Sequence, residues 1–181
     1  MTYIVLGLLM LKDMTIYELN NSFKQGLSLI YAASYGSLQN AVKNLLKDGA
    51  ITYIETVENG RNKKIYTIND DGRKLFKQWM FSPLTEKKLE TTLLSKIYFL
   101  GLISEKKDQL SIIQGMIDTV KQVTKELSDY QQVVGEMEIP EAYQTIAMYQ
   151  IKTLDYGVMS HEAGLNWLHD LYEEVKNGPM L

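Results

Sequence analysis

Apolar positions near the start of the chain fall into short groups with helical spacing, separated by polar punctuation. Residues 3–11 predict a short apolar helix, which Lys12-Asp13-Met14 interrupts. Thr15 and Glu18 have the spacing of a capping box, in which each side chain satisfies a backbone donor at a helix start. A second helix therefore begins there, presents Leu19 and Phe23, and ends at Gly26. After the connector 27–33, Ser34 or a neighbour caps a third helix whose Leu38, Ala41, Val42, Leu45 and Leu46 share one face, and Asp48-Gly49 closes it. Ile51 to Val57 and Lys63 to Ile68 are rich in Ile, Tyr, Thr and Val and flank residues 58–62, whose Asn59-Gly60 accepts the positive φ angles of a tight turn. That pattern predicts a β-hairpin. Asn69 then caps a fourth helix bearing Leu75, Phe76 and Trp79, and Ser82-Pro83 ends it.

From Thr85 the spacing is helical again, through Leu89, Leu93, Leu94, Ile97 and Tyr98, to a break at 101–104. Ile113, Met116, Val120, Val123, Leu127, Tyr130 and Val134 then recur at steps of three and four, a heptad seam that Gly135 and Pro140 interrupt. A second seam runs through Ala147, Ile151, Leu154, Val158, His161, Leu165, Leu168, Tyr172 and Val175. Two long helices with apolar stripes suit an antiparallel hairpin inside one subunit. They also suit dimerisation, because Ile112, Ile117, Ile146, Tyr149 and the 85–103 helix add a second apolar face for a partner to bury. The expected dimer contacts are Ile113, Met116, Val120, Val123, Leu127, Leu154, Val158, Leu165 and Leu168. The fold class expected is mainly α: a winged helix-turn-helix over 1–82 (three helices, a hairpin wing, a helix) and a helical dimerisation domain over 83–181.

Hydrophobic residues make up 45% of the 181, enough for a packed core. Cysteine is absent, which excludes disulfides, thiolate metal sites and cysteine nucleophiles and suits a cytoplasmic protein. The longest apolar run, Tyr3 to Leu11, is less than half of the ~20 residues a membrane span needs. The net charge of −3 hides an uneven distribution. Residues 1–80 carry ten Lys or Arg against seven Asp or Glu, whereas residues 81–181 carry nine against fifteen. A basic first half is a hint of nucleic-acid contact.

The third helix begins Ser34-Tyr35-Gly36-Ser37 and continues Gln39-Asn40, so small and amide side chains occupy the end that enters a groove. Gln39 and Asn40 suit adenine edges, Ser34, Ser37 and the helix N-terminus suit phosphate, and Lys43 and Lys47 flank the backbone. Arg61, Asn62, Lys63 and Lys64 put three positive charges in four residues at the hairpin tip and return strand, where they are expected to project together onto phosphates. Thr15, at the start of the second helix, completes the expected DNA-binding set. An enzyme is the rival class, with His161 and His169 as its best candidates. His161 lies on the apolar seam, where a hydrogen-bonded structural histidine is the commoner role, and its neighbour Ser160 points elsewhere on a helix. No metal motif and no glycine-rich phosphate loop occurs, so neither enzyme activity nor a cofactor is expected.

Taken in order, the segments Ile4-Val5-Leu6-Gly7-Leu8-Leu9, Tyr17-Glu18-Leu19, Tyr35-Gly36-Ser37-Leu38 with Leu45, Asp48-Gly49-Ala50-Ile51 and Lys64-Ile65-Tyr66-Thr67-Ile68 followed by Asp71-Gly72 resemble the PadR family of bacterial regulators. Leu100-Gly101-Leu102, Tyr156-Gly157 and Trp167-Leu168 are similar to the branch with a longer helical C-terminal domain. The resemblance implies a homodimer whose two winged helices bind a palindromic operator in double-stranded DNA, repression, and in some members release by a small molecule. A small aromatic effector would meet Trp79, Tyr98, Tyr156 and Trp167, although aromatics on amphipathic helices are more often core. The chain departs from the family pattern at Gln39-Asn40, where Tyr-Pro is common, and at Ile16, where Gly is common. The alternative is a winged-helix adaptor that binds proteins and no DNA.

Overall fold

The computed structural model describes residues 1–58, 61–85 and 88–178, and of Glu58 and Arg61 the backbone alone. The chain forms two compact units, one of Met1–Ser82 with Lys88–Ser104 and one of Pro83–Lys87 with Glu105–Leu181.

The first unit is a winged helix. Its helices are α1 (Thr2–Leu11), α2 (Ile16–Gln25), α3 (Tyr35–Lys47), α4 (Asp70–Phe81) and α5 (Leu89–Tyr98). Strands β1 (Met14–Thr15), β2 (Ile51–Glu58) and β3 (Arg61–Ile68) form an antiparallel sheet of order β1-β3-β2. Helix α1 is apolar nearly all round because it is the central one: Ile4, Val5, Leu6, Leu8 and Leu9 are all buried, and it packs on α3, α4 and β3. The helix starts follow the local chemistry. Thr15 Oγ1 accepts from Glu18 N while Thr15 N donates to Glu18 Oε2, a complete capping box. Ser34 Oγ accepts from Ser37 N to start α3, and Asn69 Oδ1 accepts from Gly72 N to start α4. Gly49 has φ +70° just past α3, a conformation in which glycine avoids the Cβ clash. Gly72 is required by proximity, since a Cβ there would lie 2.2 Å from the Ala50 carbonyl oxygen.

Three features differ from expectation. The two-residue strand β1 was not predicted; Met14 and Thr15 pair with Tyr66 and Ile65, a contact too distant in sequence for local spacing to reveal. The hairpin strands extend to Glu58 and from Arg61, further into the expected 58–62 loop; Asn59 and Gly60 themselves lie outside the described residues. Residues 88–104, expected with the C-terminal domain, cluster with the winged unit. The Phe99 ring lies flat enough on α1 that a Cβ at Gly7 would be 2.6 Å from it, and Tyr98 approaches Gly26 in the same way. Lys96 ties α5 to the end of α4 by donating from Nζ to the Ser82 carbonyl and to Ser82 Oγ.

The second unit is an antiparallel hairpin of α6 (Lys106–Gly135) and α7 (Gln144–Asn177). Lys106 Nζ donates to Gly178 O (2.9 Å) at its open end, and Gln131 Nε2 donates to Asp155 Oδ1 (2.8 Å) near the other. Ile113, Met116, Val120, Val158 and Leu168 are buried within the chain, and Val123, Leu127, Leu154 and Leu165 are half-buried. Ile112 and Ile117, expected to await a partner, are buried as well. By contrast Ile146, Tyr149, Tyr156 and Met159 are 56%, 67%, 74% and 67% exposed, and their spacing places them along one stripe of α7.

Candidate nucleic-acid interface

One face of the N-terminal part of α3 is open to solvent: Ser34, Tyr35, Gln39, Asn40 and Lys43 are exposed and Ser37 is half-buried. The opposite face of the same helix carries the buried Leu38, Ala41, Val42 and Leu45, so the core fixes which way the polar face points. The two serines are engaged locally. Ser34 Oγ accepts from Ser37 N (3.2 Å), and Ser37 Oγ donates to Ser34 O (2.7 Å). A hydroxyl that accepts in a cap retains its own proton to donate, so Ser34 can still meet a phosphate oxygen. Thr15 has less to offer. Its Oγ1 accepts from Glu18 N and donates to Glu18 Oε2 (2.8 Å), which spends the proton on the cap. Those same hydrogen bonds from Thr15, with Lys12 and Lys63 nearby, hold the Glu18 carboxyl below its ordinary range.

The wing corrects one expectation. Lys63 and Lys64 are adjacent on β3, and neighbours in a strand point to opposite faces, so Lys64 does not project with Lys63. Asn62, Lys63 and Lys64 are all exposed, while the Arg61 side chain lies outside the described residues. Pairing of Tyr53 with Tyr66, Glu55 with Lys64 and Val57 with Asn62 defines one face of the hairpin. There Lys64 Nζ sits 4.1 Å from the centre of the Tyr53 ring and 3.4 Å from Glu55 Oε1, and the Tyr53 and Tyr66 rings are 6.0 Å apart. Tyr53 and Glu55 raise the Lys64 pKa by stabilising its ammonium form. Burial raises the Tyr66 pKa, and the neighbouring Lys64 opposes that rise. Tyr53, Glu55 and Tyr66 are not among the expected DNA-binding residues. Had the strands been registered across Asn59-Gly60, the pairing of 55 with 64 would have followed from arithmetic.

The other candidates fall elsewhere. Trp79 stacks on Tyr3 (5.0 Å, interplanar 4°) and has Lys96 Nζ 5.7 Å from its ring, inside the winged unit, which also holds Tyr98. Tyr156 and Trp167 are exposed on α7 of the hairpin unit. His161 Nδ1 lies 2.8 Å from Gly157 O, a bond within α7, and His169 is exposed. Among the described residues no three His, Asp or Glu side chains are grouped to hold a metal ion, and no helix is long and apolar enough to cross a membrane.

Comparison with known proteins bears on the same segment. Residues 5–78 match the model of the transcriptional regulator PadR-like family. The negative transcriptional regulator PadR of Bacillus subtilis (strain 168) is 27% identical over 128 residues, which span 66% of this chain and 70% of the relative. Among solved structures, B. subtilis PadR in complex with operator DNA is similar at 21% identity and a TM-score of 0.45, covering 96% of this chain and 98% of that one. The PadR-like transcriptional regulator BC1756 from Bacillus cereus is similar at 27% identity and a TM-score of 0.43, covering 96% and 94%. The family match runs from within α1 to Gln78 in α4, so the segment that carries α3 and the wing is the part of the chain similar to the transcriptional regulator PadR-like family.

Proposed function

We propose that the chain binds double-stranded operator DNA as a homodimer and represses transcription, with α3 in the major groove and the wing on the flanking backbone. The observation that carries this is the open N-terminal half of α3, where Gln39 and Asn40 face solvent beside a basic hairpin. Amides pair in bidentate fashion with adenine, and lysines neutralise phosphates at a cost that rises with salt. The sense of regulation is taken from the B. subtilis relative, a negative regulator. Two copies are supported by the exposed α7 stripe of Ile146, Tyr149, Tyr156 and Met159, rather than by the seam residues Ile113 to Leu168, which largely serve the hairpin of one chain.

The test is a titration of purified protein against duplex from the region upstream of its own gene, at several salt concentrations. Binding that weakens with salt, and that Lys63→Ala or Arg61→Ala weakens about equally on specific and unrelated duplexes, is the expected result. Gln39→Ala should instead cost about 1–3 kcal/mol on the operator alone. Absence of binding at low salt would favour the adaptor. We extend the proposal to release by a small aromatic acid, since the stacked Tyr3 and Trp79 with Lys96 nearby combine an aromatic surface with a cation. Tryptophan fluorescence and operator affinity unchanged by phenolic acids would rule that extension out.

A further inference from the structure

On the wing face that carries Tyr53, Glu55 and Tyr66, Lys64 is already engaged. Its ammonium lies 3.4 Å from Glu55 Oε1 and 4.1 Å from the centre of the Tyr53 ring, and both contacts come from β2, directly across the ladder. Glu55 and Lys64 are opposite each other in register, and Tyr53 is one step along the same face. The pair is solvated, with side chains 46% exposed for Lys64 and 62% for Glu55. Solvated pairs of this kind are weak, so a stronger anion displaces the carboxylate easily. The dense row of phosphates along a duplex acts as such an anion through its summed charge, and displacement leaves the Glu55 carboxylate beside the duplex, where it repels the backbone.

We infer that Glu55 competes with DNA phosphate for Lys64 and so lowers the affinity of the wing for duplex, acting as a positioning residue that makes the lysine available only where the fit of α3 compensates. This rests on the DNA-binding reading above. Its consequence is specificity. Phosphate contacts add affinity on every sequence, so a wing whose lysine is held back contributes less to binding of unrelated DNA.

Fluorescence anisotropy with a labelled mixed-sequence duplex at low salt tests it on the full-length protein, using wild type, Glu55→Gln, Lys64→Ala and the double variant. Glu55→Gln should tighten binding about two- to fivefold, and the slope of log affinity against log salt should steepen by up to about one. In the Lys64→Ala background the same substitution should gain much less, because no lysine remains to release. Equal gains in both backgrounds would mean that Glu55 merely repels DNA, and would overturn the inference. So would an unchanged affinity for Glu55→Gln. Weaker binding together with a lower melting temperature would instead assign Glu55 to hairpin stability, which also overturns it. If wild type binds no duplex at low salt, the DNA-binding reading falls and takes this inference with it. If wild type binds while the glutamine variant behaves identically, only the inference falls.

Discussion

The winged unit and the helical hairpin solve the problem of burying apolar surface in opposite ways. In the winged unit the apolar side chains converge on α1, and Val5, Leu6, Leu19, Leu27 and Leu45 have no solvent exposure at all. What remains outside on α3 and the wing is mostly polar or basic. In the hairpin, two stripes facing each other bury one side of each helix and leave the α7 stripe of Ile146, Tyr149, Tyr156 and Met159 in water. Apolar stripes of that length on a folded chain mark surfaces that bind something. The winged unit thus offers α3 as a mainly polar surface, although Leu29 and, on the wing, Ile54 and Val57 are exposed as well. The hairpin offers an apolar surface.

That contrast can be broken at several points, which differ in the size of the expected effect. The largest lies in the winged core. Phe99 is 2% exposed and lies on Gly7, so Phe99→Ala should destabilise the winged unit by about 3–5 kcal/mol, read by denaturant titration. Loss of less than about 1 kcal/mol would mean that α5 is not part of that core. Next comes the hairpin. Replacing Tyr149 and Tyr156 by Asp should leave the chain folded by circular dichroism yet weaken self-association by about 30-fold or more, as expected for large aromatic side chains at an interface. Sedimentation that shows the same assembly with and without the substitutions would remove the stripe from the interface.

A smaller effect comes from Lys96, whose side chain is enclosed between α4 and α5 and whose pKa is lowered to about 8 by desolvation. Native protein gives up this proton before unfolded protein does, so between about pH 8 and the ordinary value of 10.5 the unfolded state binds more protons. Stability contributed by this site should accordingly rise with pH across that window, by on the order of 1–3 kcal/mol. Thermal melts of wild type and Lys96→Met at pH values on either side of the window check it. Titrations elsewhere cancel in the difference, and a difference that does not change with pH would contradict the burial of the charge.

The two regions also differed in how far their sequences could be read. Helix starts at Thr15, Ser34 and Asn69 were legible because each cap is made by residues within three positions of one another. The heptad seams were legible too, since Ile113, Met116 and Val120 repeat a local period. Their role was harder to assign. A stripe looks the same in sequence whether it meets its own chain or another, and only the fold separates the enclosed Ile113 and Leu168 from the exposed Tyr149 and Tyr156. Strand β1 and the docking of Phe99 on Gly7 were invisible because both join segments that are far apart in the chain. On the wing, the run Arg61 to Lys64 reads as one basic cluster until the strand is drawn, when Lys63 and Lys64 separate to opposite faces and Lys64 acquires Glu55.

The division of labour between a reading unit and a pairing unit is tested most directly by sedimentation velocity on the protein mixed with its upstream duplex across a salt series. Two chains per duplex, with an affinity that falls steeply as salt rises, is the predicted result. One chain per duplex, or no complex at low salt, would contradict it.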